Sequence, residues 1–127
     1  MLHPELIGKV ADRFAALADE RRLRLLLRLR QGECNVTVLT HELGLGQASV
    51  SKHLAVLKRV GLVEATRRGT QAVYRVRDES VFEMCKHVCD GVVRQMREEH
   101  AVLQSIQSST ATGARRSSSA TKKARTA

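Results

Sequence analysis

Gln47, Ser49, Ser51, Lys52 and His53 are side-chain donors and acceptors crowded onto a segment that also carries Val50, Leu54 and Leu57. The three apolar residues, spaced by four and three, line one stripe of a helix. The polar ones lie off that stripe, with the chemistry needed to meet base edges and phosphates. Just upstream, Leu39, Leu43 and Leu45 supply the apolar side of a shorter helix and a glycine-bearing turn. Two short helices joined in this way form a helix-turn-helix, with the second as the recognition helix.

A second group with chemistry is Cys85 and Cys89. Four apart on a helix, their sulfurs sit one turn apart on one face and suit a soft ion such as arsenite, antimonite, lead or cadmium. Cys34, or a cysteine of a second copy, would complete a trigonal site. His87 lies about 200° from Cys85 around the helix and is no partner. Two other roles fit the same residues: packing as small hydrophobes beside Val81, Val88 and Val92, or thiol redox sensing. Catalysis finds no comparable set. Ser49 and His53 are i, i+4 neighbours without a third orienting carboxylate, and residues 44–46 lack the lysine of a phosphate loop. The chain reads as a non-enzyme.

Composition favours a polyanionic partner: the formal charge is +9 and the sequence pI about 10.3. Residues 104–127 contribute five basic residues and no acid, so +4 remains for residues 1–103. Between positions 52 and 77, Lys52, Lys58, Arg59, Arg67, Arg68, Arg75 and Arg77 face Glu64 alone. That local excess beside the recognition helix matters more than the total. No apolar run is long enough for a membrane span, and the first residues lack the pattern of a signal peptide. Three cysteines without an export signal point to a reducing cytoplasm.

The elements that must position these residues follow in order. Pro4 suits the first turn of a helix bearing Leu6, Val10, Phe14 and Leu17 on one stripe. Asp19 is an N-cap for a second helix over 20–31, with Leu23, Leu26, Leu27 and Leu29 inward, and Gly32 terminates it. Gly61 closes the recognition helix. Two short strands around Gly69 then make a basic hairpin, a wing, with Arg67, Arg68, Thr70 and Gln71 at its tip. A long helix runs from Asp78 to about Leu103. Its apolar face, like that of the first helix, is wider than so small a core can cover. The expectation is a homodimer built through the first and last helices. The domain is placed at residues 1–105, and 106–127 as a disordered basic tail rich in Ser, Thr and Ala. The fold class is mostly α with a small β-hairpin: a winged helix-turn-helix of four helices, two strands and a fifth helix.

LADERRLRLL, SVSKHLAVLKRVGLV and RRGTQAVYRV together resemble the ArsR/SmtB family of winged-helix repressors over about residues 10–100. The resemblance implies a dimeric repressor that leaves a near-palindromic DNA operator when an effector binds. Members sensing soft metals carry a Cys-x-Cys pair at the third helix; here Asn35 and Thr37 take those positions, and Cys34 lies one place earlier. Zinc-sensing members use acids and histidines along the last helix. Asp78 matches the first position, but Gly91 and Arg94 break the set. The effector is therefore expected to be a soft metal or metalloid held by Cys85, Cys89 and Cys34. The alternatives are a thiol redox-responsive repressor or an architectural DNA-binding protein without effector.

Overall fold

The computed structural model describes the backbone of residues 3–126 and the side chains of residues 3–111. The elements are α1 (Pro4–Leu17), α2 (Glu20–Arg30), β1 (Cys34–Asn35), α3 (Val36–Leu43), α4 (Gln47–Arg59), β2 (Val63–Arg68), β3 (Gln71–Val76) and α5 (Ser80–Thr126). This is a mostly α winged helix-turn-helix. It divides into two compact units, residues 1–81 and 82–127.

Local chemistry sets the helix starts in the first unit. Pro4 stands at the first turn of α1, and the His3 ring accepts from the Glu5 amide. Asp19 Oδ1 accepts from the Arg21 and Arg22 amides at 2.8 and 3.3 Å and begins α2. The Arg21 side chain beside it, helped by those amides, pulls its carboxyl down to about 2. Asn35 caps α3 through the Val38 amide at 2.8 Å. Gly44 and Gly61 end α3 and α4 with φ of 65° and 80°, a region costly for residues bearing Cβ.

The core gathers where α2 packs on α4 and β3, and where α4 packs on α3 and β2. Leu25, Leu26, Leu39, Val50, Leu54, Leu57, Leu62 and Val63 are fully buried there. The wing pairs β2 with β3 antiparallel, from Val63 opposite Val76 to Arg68 opposite Gln71. A third, two-residue strand was not anticipated: Cys34 and Asn35 pair with Tyr74 and Val73, giving the order β1-β3-β2. So short a strand carries no periodicity to read.

The inward face of α2 also differs from expectation. Leu25, Leu26 and Leu29 are buried, whereas Leu23 and Leu27, expected inward, are 37 % and 54 % exposed. The leucines of RLRLLLRLR spread over about 200° of the helix at 100° per residue, wider than the buried face, so only the packing partners select which of them turn inward. Arg22 shares the buried side with Leu25, Leu26 and Leu29, within about 60° of each at 100° per residue.

Arg13 ties three segments of this unit. Its guanidinium donates to Asp78 Oδ2 at 2.6 Å and to the Val60 carbonyl at 2.8 Å. A Cβ on Gly61 would lie 3.4 Å from Arg13 Nη2, an ordinary contact, so the backbone angle alone calls for glycine there.

In the second unit α5 continues as one helix. Val88, Val92, Val93, Met96, Val102, Leu103 and Ile106 are all exposed along it. The helix passes the expected end near Leu103 and runs to Thr126. The expected disordered tail at 106–127 falls largely on side chains outside the described residues. Among the described residues no helix is long and apolar enough to cross a membrane.

Two glycines should respond in opposite directions. Gly61→Ala should lower unfolding free energy in urea by roughly 1–2 kcal/mol, through left-handed strain. Gly8→Ala, in open space on α1, should raise it by roughly 0.5–1 kcal/mol. Like-signed changes would show that backbone conformation does not govern these positions.

Candidate nucleic-acid interface

At 100° per residue, α4 divides cleanly into two arcs. Val50, His53, Leu54 and Leu57 are buried on one. Gln47, Ala48, Ser51, Lys52, Ala55, Lys58 and Arg59 are exposed on the other, and Ser49 is half-buried at the boundary. Gly46, the N-cap, has no side chain to engage the first-turn amides, which stay open at the same end as Gln47. A face of this kind combines hydrogen-bonding groups, cations and small residues that let a helix approach closely.

His53 is the correction here. It was expected among the base-reading side chains but is 4 % exposed on the buried arc, where it cannot reach a base edge. Its angular position beside Leu57 and Val50 was available in the sequence; its polarity argued the other way. Burial, the largest influence, pushes its imidazole below the usual histidine value. Arg59 was missed as a member of the exposed arc, although it lies seven residues from Lys52 on the same side.

The wing supplies further cations, unequally free. Arg67, Arg68, Thr70 and Gln71 are all exposed. Arg68 forks onto Glu33, with Nη1 to Oε1 at 2.5 Å and Nη2 to Oε2 at 3.2 Å. Gln71 Oε1 accepts from Asn35 Nδ2 at 2.9 Å, which ties the wing to the start of α3. Arg75 donates to Glu64 at 2.6 Å. No described residue bonds the Arg67 side chain, so Arg67 is ready for a phosphate while Arg68 must first leave Glu33.

Each thiol has its own surroundings. Cys34 is 6 % exposed, and its sulfur accepts from Arg28 Nη2 at 3.7 Å. Cys85 is half-buried and Cys89 exposed. Burial first, and then the neighbouring Cys89, push the Cys85 thiol up. Among the described residues no three His, Cys, Asp or Glu side chains are placed to hold a metal ion. Asp78, the position matching a zinc ligand, is engaged by Arg13 and by the Ser80 amide and hydroxyl at 3.0 and 2.5 Å. The hydroxyl, the largest influence, holds its carboxyl low.

Salt titrations should separate the two wing arginines. Arg67→Ala should weaken operator and random DNA binding alike and reduce the log–log salt slope by about 1. Glu33→Gln, by freeing Arg68, should strengthen both. Ser51→Ala should reduce operator affinity more than random-DNA affinity; equal losses would mean that the exposed arc of α4 does not read bases.

The comparisons with known proteins agree with this geometry. The family model described as bacterial regulatory protein, arsR family, matches residues 19–65, from the cap of α2 into β2. Over 83 residues the chain is 37 % identical to the HTH-type transcriptional regulator NmtR of Mycobacterium tuberculosis, covering 65 % of this chain and 69 % of that one. It is 43 % identical over 81 residues to the arsenic resistance transcriptional regulator ArsR1 of Pseudomonas putida, covering 61 % and 63 %. Among solved structures, a homodimeric winged helix-turn-helix DNA-binding domain from Mycobacterium bovis, a possible ArsR-family regulator, superposes with a TM-score of 0.65 at 36 % identity. It covers 72 % of this chain and 87 % of that one. By these matches in sequence and in fold, the chain belongs to the arsR family of DNA-binding bacterial transcriptional regulators.

Proposed function

We propose that the chain is a homodimeric repressor that holds a near-palindromic operator and is released by a soft metal or metalloid bound through cysteine thiols. The observation that carries this reading is the uncovered apolar surface of the first and last helices, with two thiols in the same stretch as the second. Leu6, Ile7, Val10 and Phe14 of α1 are 37–53 % exposed, and Val88, Val92, Val93 and Met96 of α5 are 43–61 % exposed. Uncovered apolar surface on each of two helices needs a partner, and a second copy offers the same surfaces under two-fold symmetry. The homodimeric M. bovis domain supports that assembly. Two recognition helices related by a dyad then face half-sites about one DNA turn apart, roughly 34 Å.

In this reading Gln47, Ser49 and Ser51 contact bases. Lys52, Lys58, Arg67, Arg68, Thr70 and Gln71 contact the backbone. Residues 106–127 add a basic tail outside the folded domain, and the protein works in the cytoplasm. Cys85 and Cys89 suit a thiophilic ion and no hard cation, because sulfur is the only donor type they bring. They make two ligands, and Cys34 or a cysteine of the partner subunit completes the set. The named arsenic-resistance relative supports this class of effector.

Fluorescence anisotropy on the protein's own upstream DNA tests the proposal, with arsenite, cadmium, lead, zinc and a thiol oxidant added in turn. Release by arsenite, cadmium or lead, lost in Cys85→Ser and Cys89→Ser, is the expected result. Release unaltered in the double variant would overturn the thiol assignment. A coupling of about 1–3 kcal/mol would shift operator affinity five- to 150-fold. Because Cys85 holds its proton above the ordinary thiol value, ion binding must displace that proton. Release should therefore need less metal as pH rises from about 7 to about 8.5.

A further inference from the structure

Two polar side chains occupy core-facing positions that an apolar residue would ordinarily take. Arg22 shares the buried side of α2 with Leu25, Leu26 and Leu29, and His53 lies on the buried arc of α4 with Val50, Leu54 and Leu57. They meet: Arg22 Nη1 is 3.3 Å from His53 Nδ1. The other guanidinium nitrogens are also committed, Nε to the Ala16 carbonyl at 2.5 Å and Nη2 to the Ala15 carbonyl at 3.2 Å. The Arg22 amide is fixed as well, by Asp19. One planar fork thus joins the end of α1, the start of α2 and the middle of the recognition helix.

We propose that Arg22 and His53 form a positioning pair that sets the recognition helix against the α1–α2 corner, and that the pair holds only while His53 is neutral. A guanidinium donates and has no lone pair to accept, so His53 Nδ1 must be the acceptor. That requires the imidazole in its Nε2–H form. Protonation would place an N–H against the guanidinium, turning a hydrogen bond into a contact between like charges. The charged groups acting on His53 divide accordingly: Asp19, before α2, favours the proton, while Arg21 and Arg22 on α2 and Lys52 on α4 oppose it. Burial opposes it most. Loss of this bond would leave the exposed arc of α4 chemically intact but misaimed. The pair therefore controls presentation of the reading face, and neither residue needs to touch DNA. The inference rests on the family's DNA binding and is independent of dimerisation or the effector.

The sign of the effect is its signature. A histidine whose folded value lies below its unfolded one supports the fold fully above about pH 6.5. That support fades as pH falls through this value, because the unfolded chain takes the proton first. Operator binding should follow the same direction. Positive charge gained on a protein surface as pH falls would ordinarily strengthen DNA binding. The positioning pair predicts the reverse.

The experiment uses the full-length chain and two readouts. Nitrogen-15 NMR of the imidazoles should find His53 as the Nε2–H tautomer, taking its proton below the ordinary histidine value of about 6.5. Operator affinity, measured at constant salt from about pH 7.5 to about pH 5, should fall several-fold in the wild type. His53→Asn, whose amide oxygen can stand where Nδ1 does and does not titrate, should abolish that fall. Its circular dichroism at each pH confirms that folded protein is compared. An Nδ1–H tautomer, or protonation at or above the ordinary histidine value, would overturn the proposal without any variant. So would an acid loss that persists unchanged in folded His53→Asn.

Discussion

A recognition helix must be gripped on one side and left bare on the other, and this constraint organises the first compact unit. Val50, Leu54 and Leu57 provide the grip, buried against α2, α3 and β2. Removing any one of them would open a cavity, typically at about 2–5 kcal/mol for a leucine cut to alanine. The opposite arc contributes nothing to that core. Its glutamine, serine, lysines and arginine are free of internal obligations because the fold needs none from them. Six ion pairs among the described residues are all at least partly solvated. Screening by solvent leaves such pairs little net worth, so apolar burial carries the stability and the charges remain disposable for a partner.

Polar contacts act here as placement devices. Arg13 connects α1 to the end of α4 and to Asp78, where α5 is about to begin. Arg22 connects the α1–α2 corner to the centre of α4. Asn35 caps α3 while its amide nitrogen reaches Gln71 on the wing. Each spans elements distant in sequence, and each uses directional hydrogen bonds where leucine contacts alone would permit sliding. The reading face and the wing are held in register by these few ties.

The second unit has a different character. α5 exposes valines, methionine and leucine along a helix that carries Cys85 and Cys89. In a single chain this surface is unfinished. A thiol held above its ordinary value by burial is a poor nucleophile, yet once an ion displaces its proton it is a strong soft ligand. The chemistry of this helix is thus coupled to whatever covers it.

Much of this was legible in the sequence. The spacing of Val50, Leu54 and Leu57, the cap at Asp19, the glycine at 61 and the period change after it are local signals, and local sterics and hydrogen bonding produce the elements they announce. The exposed residues from Gln47 to Lys58 followed from the same periodicity. The inward face of α2 did not, because its leucines span a wider arc than the buried face and only its neighbours choose among them. Neither did β1, whose two residues become a strand solely by pairing with β3. His53 marks the boundary most clearly. Its chemistry suited DNA, its angular position suited the core, and the choice depended on Arg22, 31 residues away, arriving with a donor. Residue types and periods determine which groups a helix offers; the partners brought together by tertiary packing determine which of them are satisfied inside and which are left for another molecule.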